Sequence, residues 1–333
     1  MTRPMLRKTI LLLAAGAATA LAVTGAVLLR GQREYKYPLA EQRPIDPALV
    51  KYRQAGQFET ALNHPRGIAV LPDGHIYVAG DQRVAVFEAD GTAVPDRAID
   101  LPGRAMGVAF DDGRLYVALT DRVQVRNAAG ELEAEWPALE GRLEITAVAA
   151  RANRVYVTAW QNFEGVLLRY DAGGRPLGET RGFSVPSEHF DVIVAPDGLA
   201  RVGHSGARRV EAYDAHGDLL FSWGESSPAV EGFCGCCNPV SLAALPDGRI
   251  VTAEKGLPTV KIYADDRGDG RGRLEAVVAG PDDFAEHRGA CGEEIQADCN
   301  KGALAVAVDA AGRILVLDPV TRRIRAFVPK ESP

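Results

Sequence analysis

The chain has 333 residues, 47% of them hydrophobic, with 35 glycines and 20 prolines spread along its length, and carries a formal net charge of −6. Its first thirty residues hold four bases (Arg3, Arg7, Lys8, Arg30) and no acid, so the remainder carries 34 bases against 44 acids, a net −10. An acidic domain without a basic run excludes nucleic acid as a partner, because phosphate neutralisation needs clustered Lys and Arg.

Residues 9–29 are apolar or small and uncharged. About 20 such residues span a bilayer as a helix. With Arg3, Arg7 and Lys8 ahead of them, the positive-inside rule places the N-terminus in the cytoplasm and everything after Arg30 outside it. Cleavage after Ala18-Thr19-Ala20 or Ala20-Leu21-Ala22 is the rival reading. The apolar run continues through Val27, Leu28 and Leu29, which favours an uncleaved anchor. Residues 31–48, with Pro38, Pro44 and Pro47, read as a tether. The expected location is therefore the extracytoplasmic (periplasmic) side of the cytoplasmic membrane, with residues 1–30 forming the single-pass anchor.

Six times the chain then runs an apolar strand, a turn ending in Gly or Asn, and a second β-rich strand. The units start at Gly67, Gly107, Thr146, Asp191, Ser241 and Ala305. A third strand with a polar turn follows in most units, as in RVAVFEADG from Arg83 and TVKIYADD from Thr259, and a weaker fourth follows that. Four short strands in a unit of about 40 residues predict an all-β fold, a six-bladed β-propeller. The sixth unit ends at Phe327-Val328-Pro329 without room for a fourth strand. Residues 49–54 are expected to supply it, closing the ring and removing an edge. The propeller thus spans residues 49–329, with 330–333 as a tail.

GQFETALNHPRGIAVLPDGHIYVAG (from Gly56) and WGESSPAVEGFCGCCNPVSLAALPDGRIVTAE (from Trp223) resemble the NHL repeat. The combination FCGCCNP, EKGLPTVKIY and VVAG resembles an NHL-type subgroup of bacterial membrane-anchored proteins. That resemblance makes the cysteine loop a family feature, with Cys299 as the partner that fits the pattern and Cys291 as an addition to it.

Strand direction alternates, so the turns between strands two and three, and the crossings between blades, share one face. All five cysteines fall there: Cys234, Cys236 and Cys237 before blade five, Cys291 and Cys299 before blade six. Three readings stand. Cys236 or Cys237 bridges to Cys291 or Cys299 by a disulfide, as export favours; the thiolates hold a metal or an iron–sulfur cluster; or the pair is redox-active.

The aligned ends of the second strands are Gly80, Leu119, Ala159, His204, Glu254 and Asp318. His204, Glu254 and Asp318 form a candidate divalent-metal set of a lyase or hydrolase. Lys255 is the expected ion-pair partner of Glu254. Asp191 is the one charged residue among the six inner strand starts, and His189 lies just ahead of it; both are funnel candidates. Residues 265–270 resemble a calcium loop only superficially, since Arg267 occupies a ligand position and Ala276 stands where the bidentate Glu belongs. No GxSxG, HExxH or Walker pattern is present. The leading expectation is a scaffold that binds a protein or small molecule on its cysteine face. The metal-dependent enzyme and the cysteine-based redox or metal protein are the alternatives.

Overall fold

The computed structural model describes residues 44–235, 237–265, 272–287 and 302–331. They form six four-stranded antiparallel sheets. Blade five shows the plan: Ser241–Ala244, Ile250–Glu254, Thr259–Ala264 and Arg273–Ala279 pair in that order from the axis outward. The first strands of the other blades are Pro65–Val70, Ala105–Asp111, Glu144–Arg151, Val192–Val194 and Ala305–Val308. Each touches the next, and the sixth returns to the first, so the ring is closed.

Packing between neighbouring blades explains the apolar second strands. Ile76–Gly80, Ala200–His204, Ile250–Glu254 and Ile314–Asp318 are buried at every position. Both faces of such a strand are covered, so alternation gives way to continuous hydrophobicity. The short turns are set by Asx geometry. Asp73, Asp197, Asp247 and Asp309 each accept from the backbone N–H two residues on, at 3.0–3.1 Å. The glycine that follows adopts a left-handed φ, +88° at Gly74 and +91° at Gly248, which a Cβ would disfavour.

Closure occurs as the strand count requires, with a shifted segment. Tyr52–Glu59 pairs antiparallel with Arg323–Pro329, Tyr52 opposite Pro329 and Glu59 opposite Arg323. The expected strand began at Leu49. In the structure Pro47–Leu49 is a 3₁₀ turn capped by Asp46, and Val50 bridges to Val277 of blade five instead. Leu49 and Val50 are the apolar residues of this stretch, whereas the true strand is largely exposed and anchors through Tyr52 and Phe58. Thr60 completes the seam: its N–H and its hydroxyl both donate to the Arg322 carbonyl, at 2.9 and 3.0 Å.

Among the described residues no helix is long and apolar enough to cross a membrane, and residues 9–29 lie outside them.

A chain beginning at Ala61 loses the closing strand, including the burial of Tyr52 and Phe58. Relative to one beginning at Pro44 it should lose on the order of 3–6 kcal/mol in urea unfolding, given ~1.5–3 kcal/mol per large side chain buried.

Candidate functional site

The three charged strand ends of blades four, five and six do not meet. Each is engaged by the third strand of its own blade and by a neighbouring segment. His204 accepts at Nε2 from the Ser184 N–H (2.9 Å), which leaves its proton on Nδ1, facing Glu211 Oε1 at 2.9 Å. Lys261 Nζ lies 2.6 Å from Glu254 Oε1, both side chains fully buried. Asp318 accepts from Arg325 (3.1 Å) and faces His287 Nε2 at 2.8 Å. The metal set His204, Glu254 and Asp318 is thereby corrected. Its lone pairs are spent on protein donors, and among the described residues no group of three or more His, Cys, Asp or Glu could hold a metal ion. The partner of Glu254 is likewise Lys261, where the adjacent Lys255 was expected; the Lys255 backbone exchanges hydrogen bonds with Asn238.

Glu211, Lys261 and Arg325 went unrecognised in the sequence, although each stands seven residues after its partner. That spacing is a signal. It carries the chain through the turn and two positions into the third strand, on the same face. Burial opposes ionisation of Asp318, but the hydrogen bond and charge of His287, with the Thr321 N–H, outweigh it and hold the carboxyl at about 2.

The inner strand starts do different work: they join blades. An added Cβ on Gly67 would sit 2.9 Å from the Gly107 Cα, so blades one and two meet backbone to backbone. The Thr146 hydroxyl donates to the Phe190 carbonyl (2.6 Å), joining three to four. Asp191 accepts from the Val192 N–H and, across the seam, from the Leu242 N–H, both at 2.8 Å, and from the Ser241 hydroxyl. Ser241 in turn accepts from the Val306 N–H at 3.2 Å. Burial pushes the Asp191 carboxyl up to about 6 against those donors, since no cation answers its charge. The residue is nonetheless only partly buried, because it borders a cavity deep inside the ring.

That cavity is the axial channel, about 650 Å³, within the range of small-molecule sites. Its walls are the first strands, rich in Ala and Val, with His189 and Asp191 at the end facing the cysteine loop. At the same end Arg66 of blade one reaches Glu188, in the segment leading into blade four. One guanidinium N–H donates to the carboxylate (2.8 Å) and another to the Glu188 carbonyl (2.9 Å). Blades one and four are opposite in a ring of six, so this pair crosses the mouth. Burial lowers the Arg66 pKa from its ordinary value, with Glu188 opposing.

The cysteine loop is fastened from beneath. Lys261 donates to the carbonyls of Val230 (3.0 Å) and Gly232 (2.8 Å) and lies over the Phe233 ring. The Tyr263 hydroxyl donates to the Glu231 carbonyl (2.9 Å), the Cys234 N–H to Glu254, and the Asn238 amide to the Cys234 carbonyl. Cys234 is half-buried and Cys237 buried. Cys236, Cys291 and Cys299 lie outside the described residues, and with them the disulfide, metal, iron–sulfur and redox readings; residues 266–270 of the calcium-like loop do too.

An NHL repeat matches residues 62–87. No curated protein matches the chain. The fold is similar to that of a streptogramin B lyase (TM-score 0.56, 10% identity, covering 86% of this chain and all of that one). It is similar also to virginiamycin B lyase from Staphylococcus aureus (0.55, 12%, 84% and 100%). Regucalcin, a calcium-binding protein from Agrobacterium tumefaciens, is a third (0.57, 16%, 83% and 94%). At such identities the likeness is one of fold.

Replacing Lys261 with Met strands the buried Glu254 charge and should cost about 3–5 kcal/mol in urea unfolding, with much of it recovered when Glu254→Leu is added. The two shifted carboxyls have opposite signs in pH. Asp318, depressed from 3.8 to about 2, contributes about 2 kcal/mol that is present above pH ~4 and lost as pH falls through ~2. Asp191, raised from 3.8 to about 6, favours the fold by about 3 kcal/mol below pH ~4, and this is lost as pH rises through ~6. Melting curves against pH should flatten near pH ~2–4 in Asp318→Asn and near pH ~4–6 in Asp191→Asn.

Proposed function

We propose that the chain is an extracytoplasmic binding propeller, held at the membrane by residues 9–29 and presenting its cysteine-bearing face to a protein partner. The observation that carries this reading is the fastening of residues 230–238 by Lys261, Tyr263, Glu254 and Asn238. A fully buried lysine spent on loop carbonyls does nothing for the axial channel. It fixes the shape of a surface segment, and pre-ordering lowers the entropy cost of docking. The polar groups that resembled a metal site are engaged by protein partners, so this reading gives the face a shaped surface in place of a reactive centre.

The subgroup resemblance of the FCGCCNP segment and the uncharged N-terminal run support the membrane-anchored part of the reading. Photo-crosslinkers placed in living cells at Glu225 or Ser227, beside the cysteine loop, should yield one discrete adduct. The same crosslinker at Asp247, on the turn face, should yield none. Equal adducts from both faces, or none from either, would overturn the proposal. A C-terminal alkaline phosphatase fusion should be active, and an inactive one would refute the exported topology.

A further inference from the structure

A carboxylate offers about four acceptor positions. Asp191 fills three, with the Val192 N–H, the Leu242 N–H and the Ser241 hydroxyl, all neutral donors. Its charge has no cationic partner, unlike Glu254, Asp318 and Glu188, each of which faces one. The other charged or titratable groups at that end of the channel are Arg66, Glu188 and His189. Arg66 already donates twice to Glu188, and Arg104 and Glu144 act on it from outside. Away from that end the walls offer Ala69, Ala109, Ala149, Val194, Ala244 and Ala307. They are small and apolar, and leave a slender path. The Arg66–Glu188 pair crosses the mouth on the cysteine side. The other end is bordered by Arg151, Pro196, Pro246 and Asp309, with Asp309 already paired to Arg313 at 2.9 Å.

From this we infer that the axial channel is a second binding site, for a small primary amine on an unbranched apolar stem, entered from the turn face, with its ammonium on the open acceptor position of Asp191. The stem replaces water against alanine and valine, and the ammonium supplies the charge that the neutral donors do not. A metal ion is the poorer occupant, since no further carboxylate, histidine or cysteine completes a ligand group there among the described residues. The inference shares with the preceding reading only the premise that the propeller binds; it concerns a different place, and crosslinking from the cysteine face does not bear on it.

Titration calorimetry of the full chain in detergent tests it, with n-butylamine, 1-butanol and butyrate as ligands. At about pH 7.5 the amine should bind roughly tenfold more tightly than the alcohol, the margin of a charge-assisted over a neutral hydrogen bond. Butyrate should not bind. The margin should shrink toward pH ~5 in the wild-type chain, as Asp191 takes up a proton while the amine stays charged. Ala244→Leu, which narrows the channel without touching Asp191, should abolish amine binding, and Asp191→Asn should leave the amine no better than the alcohol. Equal affinity for amine and alcohol in the wild type would overturn the inference, as would a pH-independent margin. Displacement of the amine by millimolar Mg²⁺ or Ca²⁺ would assign the carboxylate to a metal instead and overturn it equally. If Asp191→Asn fails to fold, the wild-type pH series and Ala244→Leu decide the matter.

Discussion

Everything in this molecule rests on one pairing between the two ends of the folded chain. Tyr52–Glu59 lies against Arg323–Pro329, and Thr60 holds the Arg322 carbonyl twice. A ring of blades has no stable open form, because each blade buries its apolar second strand only between two neighbours. Without the closing strand, blade six exposes an edge and the first blade loses its far wall, where Leu315, Leu317 and Ile324 pack with Ile76 and Val78. The axial cavity, the tie across its mouth and the fastened loop all require the circle to be complete.

The circle is not uniform. Blades one to three meet at the axis through small residues, as at Gly67 and Gly107, and their second strands carry the uncharged Gly80, Leu119 and Ala159 where the later blades carry His204, Glu254 and Asp318. Blades three to six are joined by Thr146, Asp191 and Ser241, and blades four to six carry buried polar pairs with three different compositions: a His–Glu hydrogen bond, a Glu–Lys ion pair and an Asp–Arg ion pair. Burying a charge is costly unless it is paired, so each such pair also dictates which strand must lie beside which. The polar half specifies its register through charge, the other half through close contact.

Much of this was legible beforehand. The six-fold recurrence and the doubled apolar strands lead directly to the propeller, because two buried faces leave a mark in composition. The location of the closing strand was less so: its exposed residues break the alternation, and the apolar Leu49 and Val50 next to it attract the assignment. His204, Glu254 and Asp318 stand out as charges in buried strands, yet a charge alone does not say whether its complement lies in the next blade or the next strand. The complements were present at a constant spacing of seven residues, at Glu211, Lys261 and Arg325. Reading them needed the hairpin length, which the turn sets. Arg66 and Glu188, 122 residues apart, carry no local mark at all. Only the geometry of a ring of six brings them face to face.

The Arg66–Glu188 tie gives the ring a mechanical anisotropy. Of the three diameters of a six-membered ring, the one joining blades one and four is spanned by a charged, doubly hydrogen-bonded strut whose separation would leave a guanidinium half-desolvated. No described hydrogen bond or ion pair spans the diameters joining two to five and three to six. The strut opposes widening of the mouth along its own diameter, and no such tie among the described residues opposes it along the other two. A ligand too wide for the mouth would therefore meet a direction-dependent resistance, greatest along the line from blade one to blade four.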